Sequence, residues 1–262
     1  MQGIFLVDKP AGWTSFDVVN YVRRIVATHE GKKPKNCKVG HTGTLDPFAT
    51  GLLVLLIGKE YTRKAAELSK VDKTYEVTAT LGMVSTTGDP EGDITPFKTL
   101  SRHPERSDSK VEGTILDEDR SLQSGRDEKA VLATAPTEKQ ILEAIEGFTG
   151  EITQVPPAFS AIKVNGVRAY KLAREGKEVV IEPRKVTINR LELVDYSYPD
   201  VKFITNVSSG TYIRTLVEEI GAKLGTGAYT TELRRTSVGD FLINDAVAVK
   251  SITETMLKIK LV

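Results

Sequence analysis

Residues 39–51 read VGHTGTLDPFATG and lead directly into the apolar run LLVLLIG at residues 52–58. The apolar run predicts a buried β-strand, because it is short, continuous and rich in Leu, Val and Ile. The preceding stretch is therefore predicted to be a loop at the edge of a sheet. Its glycines, Gly40, Gly43 and Gly51, allow the backbone to come close to a ligand.

This loop carries a single carboxylate, Asp46, which is followed by Pro47. A proline biases the residue before it towards an extended backbone, so the short side chain of Asp46 is held on a stiff loop. Such a carboxylate suits a nucleophile or a base. The alternative is an aspartate that accepts backbone N–H groups in a turn. The loop is not a phosphate-binding Walker loop, because no Gly-Lys-Ser/Thr follows at the required spacing.

Strands and helices are mixed on either side of this loop, without the regular alternation of a doubly wound parallel sheet. Thr14 and Ser15 can cap a helix, and Thr137 with Gln140 marks the start of another. A basic loop is predicted at residues 29–38 and an irregular excursion at 151–163. The other predicted elements are strands at 3–7, 73–82, 184–195 and 201–207, short helices at 62–69 and 167–176, and a helix from about Tyr212 to Leu224 that Gly225 and Gly227 end.

The composition is that of an ordinary soluble protein, with 40% hydrophobic and 27% charged residues among 262. Its single cysteine, Cys37, excludes an intrachain disulfide and favours a reducing, cytoplasmic location. We expect no signal peptide and no membrane span. Residues 1–64 carry 10 Lys/Arg against 5 Asp/Glu, so this quarter is expected to contribute to any polyanion site. Residues 96–135 are polar and are predicted to form a surface insertion.

Two further segments contain candidate functional residues. Arg214 follows Tyr212 in the first turn of its predicted helix, where a cation gains nothing from the helix dipole. An arginine there often serves a carboxylate or phosphate elsewhere, although pairing with Glu218 one turn later is an equal alternative. Tyr212 and Tyr75 could each stack on a nucleobase or belong to the core.

Six segments of the chain, in this order, resemble motifs of the TruB family of tRNA pseudouridine synthases. Together they cover roughly residues 3–92 and 136–248. The segment around Asp46 is long and specific. The segments are KPAGWTS (9–15), GHTGTLDPFATGLL (40–53), KTYE (73–76), PPAFSAIKVNGVRAYKLAREG (156–176), GTYIRTL (210–216) and LRRTSVGDF (233–241).

The resemblance implies an α+β fold of the pseudouridine-synthase type, with a central mixed, mainly antiparallel sheet flanked by helices. It implies a catalytic domain over residues 1–248, interrupted by the polar insertion at about 96–135. Bacterial relatives usually continue into a small C-terminal RNA-binding domain. Here residues 249–262 are expected to form only a short C-terminal stub in its place.

The resemblance also implies roles for individual residues. Asp46 matches the catalytic aspartate, and Arg214 matches the arginine that pairs with it. Tyr75 matches the tyrosine that stacks on the target uracil. Tyr212 and Leu233 match residues that line the uridine pocket.

Three more residues are matched outside this pocket. His41 matches the histidine that fills the gap left in the RNA stack, and Lys9 and Pro10 match a segment that buttresses the pocket. Residues 156–176 resemble a mobile element that closes on the RNA stem-loop. The implied activity is isomerisation of uridine 55 in the T loop of tRNA, after base flipping. No metal or cofactor is implied, and the protein is expected to be a cytoplasmic monomer that binds tRNA.

Two other functions are compatible with the same residues. One is an RNA-binding or tRNA-folding module on the same scaffold, without essential catalysis. The other is an unrelated nucleotide-binding enzyme that uses the Gly-rich loop around Asp46. The second predicts a phosphate-binding helix start, and the sequence contains no such signature.

Overall fold

The computed structural model describes residues 1–98 and 135–259, so residues 99–134 of the predicted insertion lie outside the described residues. The strands are β1 (Gly3–Lys9), β2 (Val39–His41), β3 (Thr50–Ile57), β4 (Lys73–Leu81), β5 (Met83–Ser85), β6 (Ile94–Pro96), β7 (Gly150–Gln154), β8 (Lys163–Val164), β9 (Val167–Arg168), β10 (Arg184–Ser197), β11 (Asp200–Val207), β12 (Ala228–Val238), β13 (Phe241–Leu242) and β14 (Val247–Ala248). The helices are α1 (Ser15–His29), α2 (Lys59–Arg63), α3 (Ala65–Leu68), α4 (Glu138–Glu146), α5 (Ala169–Arg174), α6 (Ile213–Leu224) and α7 (Glu254–Ile259).

Ten of these strands form one mixed sheet with the order β14-β1-β3-β12-β4-β11-β10-β7, to which β2 is added beside β3 and β13 beside β12. The pairs β1–β14 and β3–β12 are parallel, and the other pairs in the sheet are antiparallel. The predicted α+β fold, with a mainly antiparallel mixed sheet flanked by helices, is confirmed. No helix in the described residues is both long and apolar enough to cross a membrane.

Strand β3 confirms the strand predicted from the apolar run. It pairs with β1 on one side and with β2 and β12 on the other. Residues 52–57 are fully buried, because apolar side chains cover both faces of the strand. Leu53, Leu55 and Ile57 pack in the cluster that contains the buried face of α1. The loop that carries Asp46 therefore leads into the rigid interior of the sheet.

The predicted helix starts at Thr14 and Thr137 are both confirmed. The Thr14 hydroxyl accepts from the Asp17 backbone N–H, and the Asp17 carboxylate accepts from the Thr14 backbone N–H. Thr137 and Gln140 form the same reciprocal pair at the start of α4. These capping boxes satisfy backbone donors that would otherwise be orphaned at the helix ends.

Helix α6 also has the predicted extent. Gly225, at φ +71°, adopts the left-handed conformation that ends the helix, as predicted. Gly221 allows the helix to approach the start of β12, because a Cβ there would lie 2.4 Å from the Ala228 nitrogen. The buried residues of α6 include Ile213, Leu216, Val217 and Ile220, which pack in the cluster formed with β4, β11 and β12.

Two local expectations were wrong, and one strand was missed. Residues 150–154 form strand β7, which pairs with β10, where an irregular excursion had been predicted from residue 151. The helix predicted at 62–69 is two short helices, α2 and α3. Strand β12, in the middle of the sheet, was not predicted. Its buried face includes Arg235, a charged residue where a strand face in the core is usually apolar.

The end of the described chain packs against the first half of the sheet. Val247 pairs in parallel with Val7 of β1. Val249, Ile252 and Leu257 are buried in the same cluster as the apolar face of α1. Residues 247–257 therefore contribute to the core that supports β1 and β3.

Candidate active site

The loop between β2 and β3 is fixed on both sides of Asp46. The backbone N–H of Leu45 donates to the buried Ser15 hydroxyl at 2.8 Å, and that hydroxyl donates back to the Leu45 carbonyl at 3.1 Å. The ammonium of Lys9 donates to the carbonyl of Pro47 at 3.2 Å. Ser15 was predicted only as part of a helix cap, so its contact with the loop was missed. These contacts restrict the backbone from which Asp46 projects.

Lys9 is a fully buried cation whose partners are backbone carbonyls. Besides Pro47, it donates to the carbonyls of Pro10 and Trp13, at 3.0 Å and 2.7 Å. Burial lowers the pKa of Lys9 to about 8, although the nearby Asp46 carboxylate raises it in part. Lys9 therefore contacts the loop that carries Asp46, and the half-buried Pro10 is one of the residues that accept from it. Their support of the uridine pocket stays a prediction.

Arg214 and Asp46 form the ion pair that the resemblance implied. The Nε atom of Arg214 lies 3.0 Å from Asp46 Oδ2. The arginine side chain is 4% exposed, whereas 34% of the Asp46 side chain remains accessible. The guanidinium is therefore part of the interior, and one side of the carboxylate is open to a ligand.

A second carboxylate, Asp89, contacts the same guanidinium and was not predicted. Its Oδ2 atom lies 3.2 Å from Arg214 Nη1. Its Oδ1 atom accepts from the Thr87 hydroxyl at 2.5 Å and from the Glu91 backbone N–H at 3.0 Å. In the described residues, no three or more His, Cys, Asp or Glu side chains are arranged to hold a metal ion.

The sequence contained a signal for Asp89 that went unused. Asp89 precedes a proline, Pro90, and follows Gly88, which has a φ of +73°. The same combination of an aspartate, a following proline and a nearby glycine occurs at Asp46. The pairing of the two loops through an arginine far along the chain is a long-range contact that local patterns do not contain.

Arg214 also holds two segments of main chain. Its Nη1 atom donates to the Thr87 carbonyl at 2.7 Å, and its Nη2 atom donates to the Phe159 carbonyl at 2.9 Å. Phe159 belongs to the segment expected to close on RNA. The guanidinium therefore joins the Asp46 loop, the Asp89 loop and this segment at one point.

Burial raises the pKa of the Asp46 carboxyl above its ordinary value, and the negative charge of Asp89 adds to this shift. The charges of Arg214 and Lys9, and the hydrogen bond from Arg214, act in the opposite direction. Arg214 was expected to keep Asp46 ionised. It does lower the pKa, but burial outweighs it. Once ionised, a carboxylate with a raised pKa is a stronger base than a solvated aspartate.

An apolar wall adjoins this ion pair. Tyr75 on β4 and Leu233 on β12 are each 7% exposed and belong to one cluster. The cluster also contains Leu45 and Ala49, which lie on either side of Asp46, and Ile213, which precedes Arg214. The structure therefore brings together the predicted residues of the Asp46 loop, β4, β12 and α6. The sequence left open whether Tyr75 belongs to the core or stacks on a nucleobase. In the structure it is a buried core residue next to that loop.

Tyr212 is half-buried at the start of α6, and its main chain is fixed by a glutamine that was not predicted to matter. Gln154 is fully buried at the end of β7. Its Oε1 atom accepts from the Tyr212 backbone N–H at 2.8 Å, and its Nε2 atom donates to the Tyr212 carbonyl at 3.1 Å. This two-sided contact positions the residue from which the helix carrying Arg214 begins.

His41 lies at the end of β2, opposite Leu55 of β3. Burial lowers the pKa of its imidazole, and the charge of Arg235 lowers it further. Its Nδ1 atom is buried and has no hydrogen-bond partner among the described residues. The ring is therefore expected to be neutral near pH 7.

Gly51, one of the loop glycines, lies against the main chain of Arg235. The buried side chain of Arg235 donates to the carbonyls of Leu52, at 2.8 Å, and Gly43, at 3.1 Å. Gly51 has a φ of +102°, and a Cβ there would lie 2.3 Å from the Arg235 carbonyl oxygen. Gly51 was expected to let the backbone approach a ligand, and instead it lets β3 and β12 approach each other.

Two family models match this chain. The family model described as "TruB family pseudouridylate synthase (N terminal domain)" matches residues 31–118 and 110–213. The model described as "tRNA pseudouridylate synthase B C-terminal domain" matches residues 214–260. The first match includes the Asp46 loop and Asp89, and the second begins at Arg214.

Curated relatives and solved structures extend this similarity. The chain is 42% identical over 256 residues to tRNA pseudouridine synthase B of Mycobacterium sp. (strain KMS), covering 96% of this chain and 72% of the relative. It is 40% identical over 252 residues to the protein of that name from Burkholderia mallei (strain NCTC 10247), covering 96% and 69%. The fold is similar to a chain in the crystal structure of a Cbf5–Nop10–Gar1 complex, with a TM-score of 0.63 and 25% identity over 98% of this chain and 55% of that chain.

Proposed function

This chain belongs to the TruB family of pseudouridylate synthases, isomerases that make pseudouridine in tRNA, and we propose that its target is uridine 55 of the T loop, with Asp46 as the catalytic carboxylate. One observation carries the proposal. Asp46 is ion-paired to a buried Arg214 at 3.0 Å on one side and is accessible on the other. A carboxylate held in this way can reach a nucleotide without losing its fixed position.

The reaction needs no change of oxidation state. The bond from N1 of uracil to C1′ of the ribose breaks, the base turns, and a bond from C5 to C1′ forms. The proton that C5 loses is balanced by the proton that N1 gains. An ionised Asp46 can assist by attacking C1′ or by removing a proton from C2′. Both routes use the accessible side of the carboxylate, while Arg214 holds the other side.

The target base must leave the RNA stack before Asp46 can reach its ribose. Flipping a base costs a few kcal/mol, and stacking on aromatic side chains offsets that cost. Tyr75 and Leu233 form the apolar wall beside Asp46 and are proposed to receive the flipped uracil, with Tyr212 at its border. The imidazole of His41, neutral because of its lowered pKa, is proposed to fill the vacated space in the RNA loop.

Arg214 is proposed to link the closure of residues 156–176 on RNA to the position of the catalytic Asp46. Its hydrogen bond to the Phe159 carbonyl ties that segment to the group that holds Asp46. A movement of residues 156–176 on RNA binding would therefore be transmitted to Arg214 and Asp46 through this hydrogen bond. Single-stranded loops are the usual targets of specific RNA recognition, and the T loop is one of them.

The proposal is tested by mapping pseudouridine, position by position, in an unmodified tRNA transcript and in an isolated T-stem-loop. We expect conversion at uridine 55 in both RNAs, and none in a transcript that carries cytidine at that position. Conversion at another position would refute the assignment of the target. Tight tRNA binding without conversion anywhere would favour the alternative of a tRNA-folding module.

A further inference from the structure

Arg184, the first residue of β10, lies over the ring of Tyr212, with 4.9 Å between its Cζ atom and the ring centroid. Its Nε atom is buried and has no hydrogen-bond partner in the described part of the chain. Arg184 also makes none of the ion pairs found there. A guanidinium has five donors, and buried polar groups are normally hydrogen-bonded, so the Nε atom can donate to an acceptor that the described residues do not supply.

The surroundings of Arg184 are favourable for an anion. Its guanidinium lies beside Gly210, where a Cβ would be 3.3 Å from Cζ, just before the start of α6. The free N–H groups at a helix start carry partial positive charge. Gln154, directly opposite Arg184 in the sheet, already uses its amide on the Tyr212 main chain. An anion bound beside Arg184 and near the start of α6 would be stabilised by both positive groups.

The neighbouring residue shows what an ordinary surface cation looks like on this strand. Lys185 points to the opposite face of β10, is 73% exposed, and pairs with Glu151 at 2.7 Å. Arg184 is half-buried, is stacked on an aromatic ring and forms no ion pair with any carboxylate in residues 1–98 and 135–259. The two adjacent cations therefore differ in exposure and in ion pairing. Lys185 is a solvated surface residue, whereas Arg184 has the burial and the free donor that are typical of a binding residue.

Arg184 also lies close to the catalytic pair along α6. Tyr212, on which it stacks, is two residues before Arg214, which contacts Asp46 at 3.0 Å. A flipped uridine at Asp46 has one phosphodiester group on each side. The planar fork of an arginine matches a phosphate with two parallel hydrogen bonds, and it can do so while its face remains on a tyrosine.

We propose that Arg184 binds a phosphate of the RNA strand next to the flipped nucleotide while its guanidinium stays stacked on Tyr212. This inference rests on the proposed function, because it requires a nucleotide at Asp46. It makes Arg184 a substrate-binding residue that positions the RNA backbone and takes no part in the bond changes.

The test measures RNA binding as a function of salt concentration. Affinity for an unmodified T-stem-loop is measured in the Asp46→Asn background, so that no turnover occurs, with and without Arg184→Gln. Loss of one phosphate contact is expected to lower the slope of log K against log salt by about 0.7–0.9 and to weaken binding several-fold, about 3- to 10-fold. Arg184→Lys keeps the charge and should keep most of the slope. Lys185→Gln, the matched control, should leave the slope unchanged.

Reaction rates, measured with Asp46 intact, distinguish two roles for Arg184, which are binding of a phosphate and support of the Tyr212 ring. In the wild-type background, Arg184→Gln should lower kcat/KM by about the factor by which it weakens binding, with the loss mainly in KM, because the phosphate contact acts on binding. A large loss of the saturating rate with an unchanged salt slope would overturn the proposal, since Arg184 would then only support the ring of Tyr212. Weaker binding with an unchanged slope would also overturn it, in favour of a contact to a nucleobase.

A modified RNA allows the phosphate contact to be tested on the wild-type protein as well as on the variant. Uncharged methylphosphonate linkages are placed on the 5′ or the 3′ side of uridine 55, one at a time. One linkage should weaken binding to the wild-type protein and have no further effect on Arg184→Gln. If neither linkage weakens binding while the wild type still makes pseudouridine in this RNA, only this inference fails. If the wild type makes none, the proposed function fails and this inference fails with it.

Discussion

Asp46 and Asp89 lie in two Asp–Pro loops that meet at Arg214, yet their carboxylates have different surroundings. The side chain of Asp89 is 5% exposed, accepts hydrogen bonds from the Thr87 hydroxyl and the Glu91 backbone N–H, and forms an ion pair with the Arg214 guanidinium. The side chain of Asp46 is 34% exposed and contacts the guanidinium alone among the charged groups within ion-pair distance in the described residues. The first carboxylate is buried with three partners, and the second has one such partner and remains partly accessible.

This difference shows that a proline and a nearby glycine indicate a rigid carboxylate without indicating its role. The role depends on how many donors the carboxylate meets and on whether one side stays open. Asp89 holds Arg214 in place, and Arg214 in turn holds Asp46. The following predictions use substitutions that change one member of this set at a time.

The largest effect is expected for Asp46→Asn. The rate of pseudouridine formation should fall by a factor of at least about 10²–10⁴, because the amide can act neither as a base nor as a nucleophile. Burial raises the pKa of Asp46, so the folded state favours its protonated form, and any stability gained from that form is lost as pH rises through the folded pKa. At pH 7 the neutral Asn should therefore unfold at the same temperature as wild type or at a higher one. Thermal unfolding and tRNA binding serve as controls for the activity assay.

Arg214→Met should have the second largest effect, and it should affect both activity and stability. It leaves the buried carboxylate of Asp89 without its guanidinium, and removal of one partner from a buried ion pair costs about 3–5 kcal/mol. Urea unfolding at pH 7 measures this loss, and Arg214→Lys should show an intermediate one. A change below about 1 kcal/mol would mean that Asp89 does not depend on the arginine.

Asp89→Asn should have a smaller effect on catalysis than Asp46→Asn and a larger effect on stability. Loss of the charge weakens the anchor of Arg214, and the free energy of unfolding should fall by about 1–3 kcal/mol. The resulting shift of the guanidinium should slow pseudouridine formation by at most about 10²-fold. Equal rates for Asp89→Asn and Asp46→Asn would remove the distinction between a holding and a reacting carboxylate.

The smallest effect concerns pH. Activity needs ionised Asp46, so kcat/KM should fall as pH decreases through the raised pKa of that group, above the value of about 3.9 for a free aspartate. The charge of Asp89 contributes to this raised pKa, so Asp89→Asn should move the acid limb to lower pH. A profile measured from pH 4 to pH 8 checks both statements. An acid limb that moves to higher pH would show that Asp89 does not act on Asp46 in this way.

The parts of the fold that follow from local chemistry could be predicted from the sequence. The capping residues of α1 and α4 lie within one helical turn of the groups that they satisfy, and the apolar run of β3 is continuous. The stop at Gly225 depends only on its own left-handed backbone. Such elements are determined by interactions within a few residues, and the family motifs add the expectation that Asp46 and Arg214 meet.

The parts that were missed depend on contacts between distant segments. Strand β12 contains Arg235 on a buried face, which is stable only because the carbonyls of Leu52 and Gly43 accept from it. Gln154 appears as an ordinary polar residue until it meets the main chain of Tyr212. Asp89 becomes a site residue only through Arg214. In each case the sequence shows a polar residue, and only the fold shows which distant group satisfies it.

The most direct test of the central claim is the single-turnover rate of pseudouridine formation with saturating enzyme, measured side by side for Asp46→Asn and Asp89→Asn on one tRNA transcript. With Asp46 as the reacting carboxylate, Asp46→Asn should bind the tRNA and form no measurable product, while Asp89→Asn should form pseudouridine at uridine 55 slowly but completely. Turnover by Asp46→Asn within tenfold of wild type, or a complete block in Asp89→Asn alone, would contradict the assignment of Asp46 as the reacting group and of Asp89 as its support.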